Sequence, residues 1–297
     1  MSRKNIARKD FSQNFLHDRR LIRDLVSKAQ IAPDDLVIEI GPGEGAITGE
    51  LLGRARQVLA VEVDVALARR LGRRFGKDAG FTLFAGDFLA FPLPWTPYKV
   101  FANPPYRHTA AIVSKLTTGV APPTDIFLAM QDEAAQRYLG QPQGTMVAAH
   151  LAPWFEVKVV HRFARTDFRP MPAVESVMVR IQQRATPLLD PKHSSRYRDL
   201  VAAVFTAWQP TIEDALAEVL ERRTSAQVRS GKGRTCRSRP SSLPPAEWIG
   251  LYELVQEVAT GADWERIHSV AERLEAQQAR LVRPTRTPSG RARGQPR

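Results

Sequence analysis

The segment LVIEIGPGEGAITGELL, residues 36 to 52, constrains the fold more than any other stretch of the chain. A strand-like run enters three glycines in five positions, and a helical pattern begins directly after them. Gly41, Gly43 and Gly45 let the backbone turn sharply and pass close to a ligand at the strand's carboxyl end. Ordinary strand-to-helix turns use glycine too, so the turn alone leaves two readings open. The segments downstream of the turn decide the fold class. Residues 57 to 63, 81 to 85, 98 to 102 and 125 to 130 read as further strands separated by helical segments. This alternation predicts an α/β chain with a mainly parallel, doubly wound sheet, and the near-continuous apolar strands predict burial on both sheet faces. Residues 157 to 164 and 175 to 183 read as two more strands near a sheet edge. Ahead of the sheet, Leu21, Ile22, Leu25, Val26 and Ala29 fall at helical spacing behind Asp18, a candidate N-cap.

This pattern divides the chain into three segments. Residues 1–183 form the sheet domain, and 184–281 form a small helical domain in which a basic loop covers 222 to 245 and residues 262 to 281 read as one helix. Residues 282–297 are a Pro/Arg/Gly tail too poor in apolar residues to build a core, so disorder is expected there. No apolar run approaches the ~20 residues of a membrane span and no signal-peptide core opens the chain, so a cytoplasmic location is expected. Cys236 is the single cysteine, which excludes a disulfide framework and a cysteine-based metal site.

Acidic residues at the strand ends turn the glycine turn into a nucleoside site. Glu62 closes the second strand, 21 residues beyond Gly41, where a carboxylate can accept both ribose hydroxyls. Asp87 comes after the third strand, placed to take an adenine amino hydrogen, and Asn103 comes after the fourth. A nicotinamide oxidoreductase would share the turn and the first acid. Here, however, the third glycine of the dinucleotide fingerprint would fall at Ala46, and no His, Tyr or Lys constellation for hydride transfer stands out. The turn, the two acids and the motif after strand four resemble class I S-adenosylmethionine methyltransferases.

That motif is ANPPY, residues 102 to 106. An aromatic NH2 is a poor nucleophile because its lone pair is delocalised into the ring. A carboxamide oxygen from Asn103 and the backbone carbonyl of Pro104 can accept its two hydrogens and favour the attacking geometry. Tyr106 would stack on the base and hold its N6 in line with the methyl group, a direct displacement that requires no metal. Pro-Pro can also be a rigid turn, and NPPY resembles DNA adenine and glutamine-amide methyltransferases as well. It identifies a chemistry rather than a substrate.

The charge points to the substrate class. The chain holds 43 Lys and Arg against 31 Asp and Glu, a formal net charge of +12, and the excess is clustered. Residues 222 to 239 carry seven basic groups and no acid, and residues 280 to 297 carry six arginines and no acid. A nucleic-acid partner is favoured over an anionic membrane, because these stretches lack the apolar helical face that interfacial anchoring needs.

FSQNFLHD at 11 to 18 resembles the N-terminal signature of the ribosomal RNA adenine dimethyltransferases, and FRPMPAVESVMVRI at 168 to 181 resembles their FxPxPxV(D/E)S segment. QDEAAQRYLG and APWFEVKVV between them resemble the Erm branch. This resemblance implies that Asn14 and the backbone at Leu16 line the cofactor's methionine end and that Gly41 and Gly43 approach it. Glu62 would take the ribose and Asp87 the adenine, with Asn103 between cofactor and target base. Phe168 would cover the target adenine, the alternative being one more core aromatic. The implied activity is transfer of methyl from S-adenosylmethionine to adenine N6 in 23S ribosomal RNA before subunit assembly, with macrolide-lincosamide-streptogramin B resistance and no obligatory protein partner. A KsgA-type enzyme of small-subunit RNA is the alternative. A nucleic-acid-binding protein without catalysis is opposed by the intact Asn103, Tyr106, Glu62 and Asp87. The chain departs from the family pattern at Pro104, where many relatives carry Ile or Leu. It departs again at VFTAWQPTIEDAL, 204 to 216, which lacks the glycine and basic residues of an Erm protein.

Overall fold

The computed structural model describes residues 14 to 282. The basic tail from residue 283 and the first three residues of the FSQNFLHD signature lie outside the described residues. Helix α1 (Arg19–Lys28) starts where Asp18 accepts hydrogen bonds from the backbone N–H groups of Arg20 and Leu21, the cap its sequence predicts. Strand β2 (Leu36–Ile40) is buried at every position. It feeds α2 (Ala46–Leu52), and β3 (Gln57–Glu62) feeds α3 (Val65–Phe75), which Asp64 caps in the same way. Strands β4 (Phe81–Ala85), β5 (Lys99–Ala102) and β6 (Asp125–Gln131) complete the parallel part, with α4 (Thr109–Thr118) crossing from β5 to β6.

The sheet runs β4-β3-β2-β5-β6-β9-β7, with β7 (Phe155–Phe163) and β9 (Ser176–Gln183) forming its antiparallel edge. Helices α5 (Asp132–Leu139) and α6 (Met146–Leu151) lie between β6 and β7. A second, two-residue pairing joins β1 (Phe15–Leu16) to β8 (Phe168–Arg169). Because β2 is the strand from which the order runs outward in both directions, a crevice opens between the carboxyl ends of β2 and β5, the usual ligand position in an open α/β sheet.

The helical region comprises α7 (Ser194–Thr206), α8 (Ile212–Val219), α9 (Arg222–Cys236), α10 (Pro245–Val258), α11 (Gly261–Ile267) and α12 (Val270–Val282). Its apolar core includes Tyr197, Leu200, Trp248 and Tyr252, and it reaches into the sheet domain at Ala149 of α6. Two expectations fail here. The single long helix read over 262 to 281 is two, broken at Ser269, whose φ of +56° no helix accommodates. The basic stretch read as a loop is for the most part helix α9: Val228 and Cys236 supply an apolar stripe that the abundance of arginine obscures. Among the described residues no helix is long and apolar enough to cross a membrane.

Candidate active site

Strand register brings the predicted residues to one edge. Ile40 pairs with Val61 on one side and with Ala102 on the other, so Gly41, Glu62 and Asn103 each stand one step beyond paired residues. The register continues to β4, where Glu62 pairs with Ala85 and places Asp87 two residues past the edge. All three glycines of the turn have left-handed φ, +71°, +60° and +81°. A Cβ on Gly43 would lie 2.5 Å from the Phe15 ring, which closes over the turn. A Cβ on Gly41 would approach Pro104 Cα and Asn103 O at 3.7 and 3.8 Å, so the turn and the NPPY segment meet across the crevice.

Glu62 is 1% exposed and serves the turn directly. One carboxylate oxygen accepts from the Gly43 N–H at 3.0 Å and the other from the Asp64 N–H at 2.9 Å. Each oxygen keeps a second lone pair, as a ribose diol requires. Burial raises its pKa above the ordinary carboxylate value, while these backbone donors pull it down. Asp87 is exposed and accepts from Leu89 N–H at 2.9 Å with one oxygen. Both acids line a cavity of about 260 Å³ together with Gly41, Pro104 and the partly exposed apolar side chains Val63 and Leu89. A slot with apolar walls, two acids at its rim and a glycine floor suits an adenosine group.

At the other end, Asn103 Nδ2 donates to Asn14 O at 2.9 Å. A carbonyl can only accept, so this bond fixes which end of the carboxamide is NH2 and leaves Oδ1 as the acceptor. It also brings the Asn14 backbone to the motif. Tyr106 is half-buried; its hydroxyl donates to Ser176 Oγ at 2.7 Å, which anchors the ring from β9. Burial raises the phenol's pKa, so the ring is neutral.

Leu16 and Phe168 are paired across β1 and β8, and this placement corrects one expectation. Phe168 is 0% exposed and packs edge-on against Phe163 at 4.9 Å in the core that also holds Leu16, Ile22 and Phe101. It presents no face to a base. An aromatic just ahead of a strand is equally compatible with either role, and the β1–β8 pairing that buries it has too few residues to leave a periodic signal.

Several contributors carry no motif. Lys115 of α4 donates to three backbone carbonyls, Phe88 O at 2.8 Å, Leu89 O at 2.9 Å and Phe91 O at 2.5 Å, and so ties down the loop that carries Asp87. His108 also lines the cavity and accepts from Arg107 Nε at 3.0 Å; burial and then the Arg107 charge lower its pKa. Glu39 in mid-β2 is fully buried, and burial first, then Glu62, raises its pKa to about 8. Its one sequence signal is an acid inside an apolar strand.

A profile of the ribosomal RNA adenine dimethylase family matches residues 4 to 256. The chain belongs to this family. Membership makes it an S-adenosylmethionine-dependent rRNA (adenine-N6)-methyltransferase of class I fold. Among curated relatives, an rRNA adenine N-6-methyltransferase of Saccharopolyspora erythraea is 30% identical over 84% of this chain, a match that spans 66% of that protein. Ribosomal RNA small subunit methyltransferase A of a Synechococcus is 34% identical over 84% of this chain and 93% of its own length. The crystal structure of the 23S rRNA methyltransferase ErmE superposes with a TM-score of 0.71 at 30% identity, covering 82% of this chain and 100% of that one. A 23S rRNA methyltransferase and a small subunit methyltransferase are therefore about equally similar to this family member. The glycine cradle, the buried Glu62 and the apolar slot fit the cofactor the family uses.

Proposed function

We propose that the enzyme methylates N6 of an adenine in 23S ribosomal RNA, in the cytoplasm and before the large subunit is assembled, and that this confers macrolide-lincosamide-streptogramin B resistance. The observation that carries the chemistry is the Asn103–Asn14 bond, which commits the amide nitrogen and leaves Oδ1 as the end of the carboxamide that accepts. S-adenosylmethionine supplies an electrophilic methyl carbon on a sulfonium. An adenine extruded from the RNA stacks on Tyr106, held by Ser176. Asn103 Oδ1 and the Pro104 carbonyl accept the two N6 hydrogens and localise the nitrogen lone pair. These bonds strengthen as positive charge develops on N6; the methyl carbon parts from sulfur, which keeps the electron pair, as the N–C bond forms, and one N6 proton then passes to water.

The 23S assignment is supported by the Erm-like segments at 131 to 140 and 152 to 160 and by the full-length match to ErmE. The similarity to the Synechococcus small subunit methyltransferase favours a second reading, modification of small-subunit RNA. Primer extension on total ribosomal RNA from cells with and without the protein separates the two. A new stop in 23S RNA, together with macrolide resistance abolished by Asn103→Ala, is the expected result. A stop confined to 16S RNA would overturn the 23S assignment in favour of the second reading.

A further inference from the structure

Helix α9 is built unlike a solvated surface helix. Exposed helices interleave opposite charges three and four residues apart, which stabilises them. Here Arg222, Arg223, Arg229 and Arg234 on the helix and Arg237 and Arg239 just beyond its end are all exposed, and no acid occurs from 222 to 239. Among the described residues only Arg229 of these six has a carboxylate partner, Glu213 on α8. The opposite face is firmly seated. Val228 and Cys236 are fully buried, Thr224 Oγ1 donates to Asp263 at 2.7 Å, and Thr235 Oγ1 donates to Glu247 at 2.7 Å.

Between the two halves Lys232 leaves helical geometry, with φ −131° and ψ 36°, flanked by Gly231 and Gly233. Gly231 lies where a Cβ would strike Leu254 at 2.7 Å, whereas Gly233 has no neighbour within 4 Å of such a position. Lys232 Nζ passes 2.9 Å from where a Cβ on Gly250 of α10 would be. The kink therefore keeps α9 against α10 while its arginines project from a fixed backbone. The Gly144 N–H donates to Ser241 O, which ties the segment after α9 to the turn between α5 and α6 in the sheet domain.

We propose that the exposed face of α9 is a docking surface for the RNA sugar-phosphate backbone, separate from the residues that engage the target base. This deepens the reading of the substrate as ribosomal RNA and rests on it. Arginine's planar fork pairs with phosphate oxygens bidentately, and a row of them fixed on one helix grips a backbone without reading bases. An anionic membrane is the poorer occupant, because no large apolar side chain of 222 to 239 is exposed to enter the acyl region. The face supplies the basic surface that 204 to 216 lacks.

The test replaces Arg222, Arg223, Arg234 and Arg237 together by Gln in the full-length chain, with a fourfold Lys version alongside. Filter binding to protein-free ribosomal RNA across salt concentrations reads docking directly. Methyl transfer at saturating RNA and calorimetric cofactor titration read the catalytic crevice. The Gln variant is expected to bind RNA more weakly, with its log–log salt slope flattened by about 3, on the basis of about 0.7 per lost phosphate contact. Cofactor affinity and the rate at saturating RNA stay at wild-type values, and the Lys version recovers most of the slope. A folded Gln variant with unchanged RNA affinity and unchanged slope overturns the proposal. The substrate reading fails differently, when wild type itself transfers no methyl to ribosomal RNA.

Discussion

The carboxyl edge of the sheet and the helical region solve the same problem, fixing polar groups in place, by opposite means. At the sheet edge position comes from register: one residue past a paired strand end is one place in space, whatever the side chain. Glu62, Asn103 and Gly41 are level because Val61, Ala102 and Ile40 are paired. In the helical region position comes from individual polar hubs. Asp263 is 0% exposed and accepts from the Glu221 and Thr260 N–H groups and from the Thr224 and Thr260 hydroxyls. Asp199 accepts from the Ser269 and Ala271 N–H groups and thereby holds the break between α11 and α12. A register is written in a periodic pattern along the chain. A hub is a single residue most of whose partners lie tens of positions away.

Substitutions that separate packing from chemistry sharpen this contrast. Phe168→Ala removes a wholly buried ring and should cost about 3–5 kcal/mol of stability in denaturant melts. Phe168→Leu, if folded, should methylate RNA at nearly the wild-type rate. A rate collapse in a well-folded Phe168→Leu protein would return Phe168 to the target-base site. Asn103→Ala should do the converse, lowering single-turnover methyl transfer by about 10²–10³-fold, the usual cost of losing a transition-state hydrogen-bonding partner, while the melt moves little.

In the helical region, Asp263→Ala strands several donors and should cost about 1.5–3 kcal/mol. At temperatures where the protein remains folded, kcat and the cofactor KM should be unchanged. Any direct loss of kcat would mean that the two regions are coupled more tightly than their separate cores imply. The smallest effect is expected from Lys115→Met, which frees the loop carrying Asp87. A rise of about 5- to 10-fold in the cofactor KM, equivalent to about 1 kcal/mol, with kcat retained, would mark a positioning residue, and Lys115→Arg should restore part of it. Equal losses in both parameters would instead place Lys115 in the chemistry.

The legibility of each region stems from these mechanisms. Strand β2 and strand β4 have the bounds the sequence indicates, and the other sheet strands differ by a residue or two at their ends, because apolar runs between turns signal strands locally. The Asn103–Asn14 bond, by contrast, joins two motifs 89 residues apart, and no spacing encodes it. Lys115 leaves no trace in the pattern because it acts through backbone contacts that no spacing encodes, whereas Phe15 and Ser176 stand inside the two signature segments, which do not reveal what those side chains touch. Helix α9 is hidden for a different reason: its charge outweighs a buried stripe of four residues, Thr224, Val228, Thr235 and Cys236, two of them polar. Glu39 lies between these cases, an acid in a strand whose other residues are all apolar. Its raised pKa gives the apoprotein a stability contribution that is full below the ordinary carboxylate range and is lost as pH rises towards about 8.

The pairing of β1 with β8 has a consequence in time. Phe15 leaves the ribosome well before its partner Arg169, which is polymerised roughly 150 residues later, at ~5–20 residues per second a delay of roughly 8 to 30 seconds. Throughout that interval the ring that closes over the Gly43 turn has no ladder to hold it, and Tyr106 lacks the Ser176 hydroxyl on which it hangs. A nascent chain therefore completes its glycine turn early and anchors Tyr106 late.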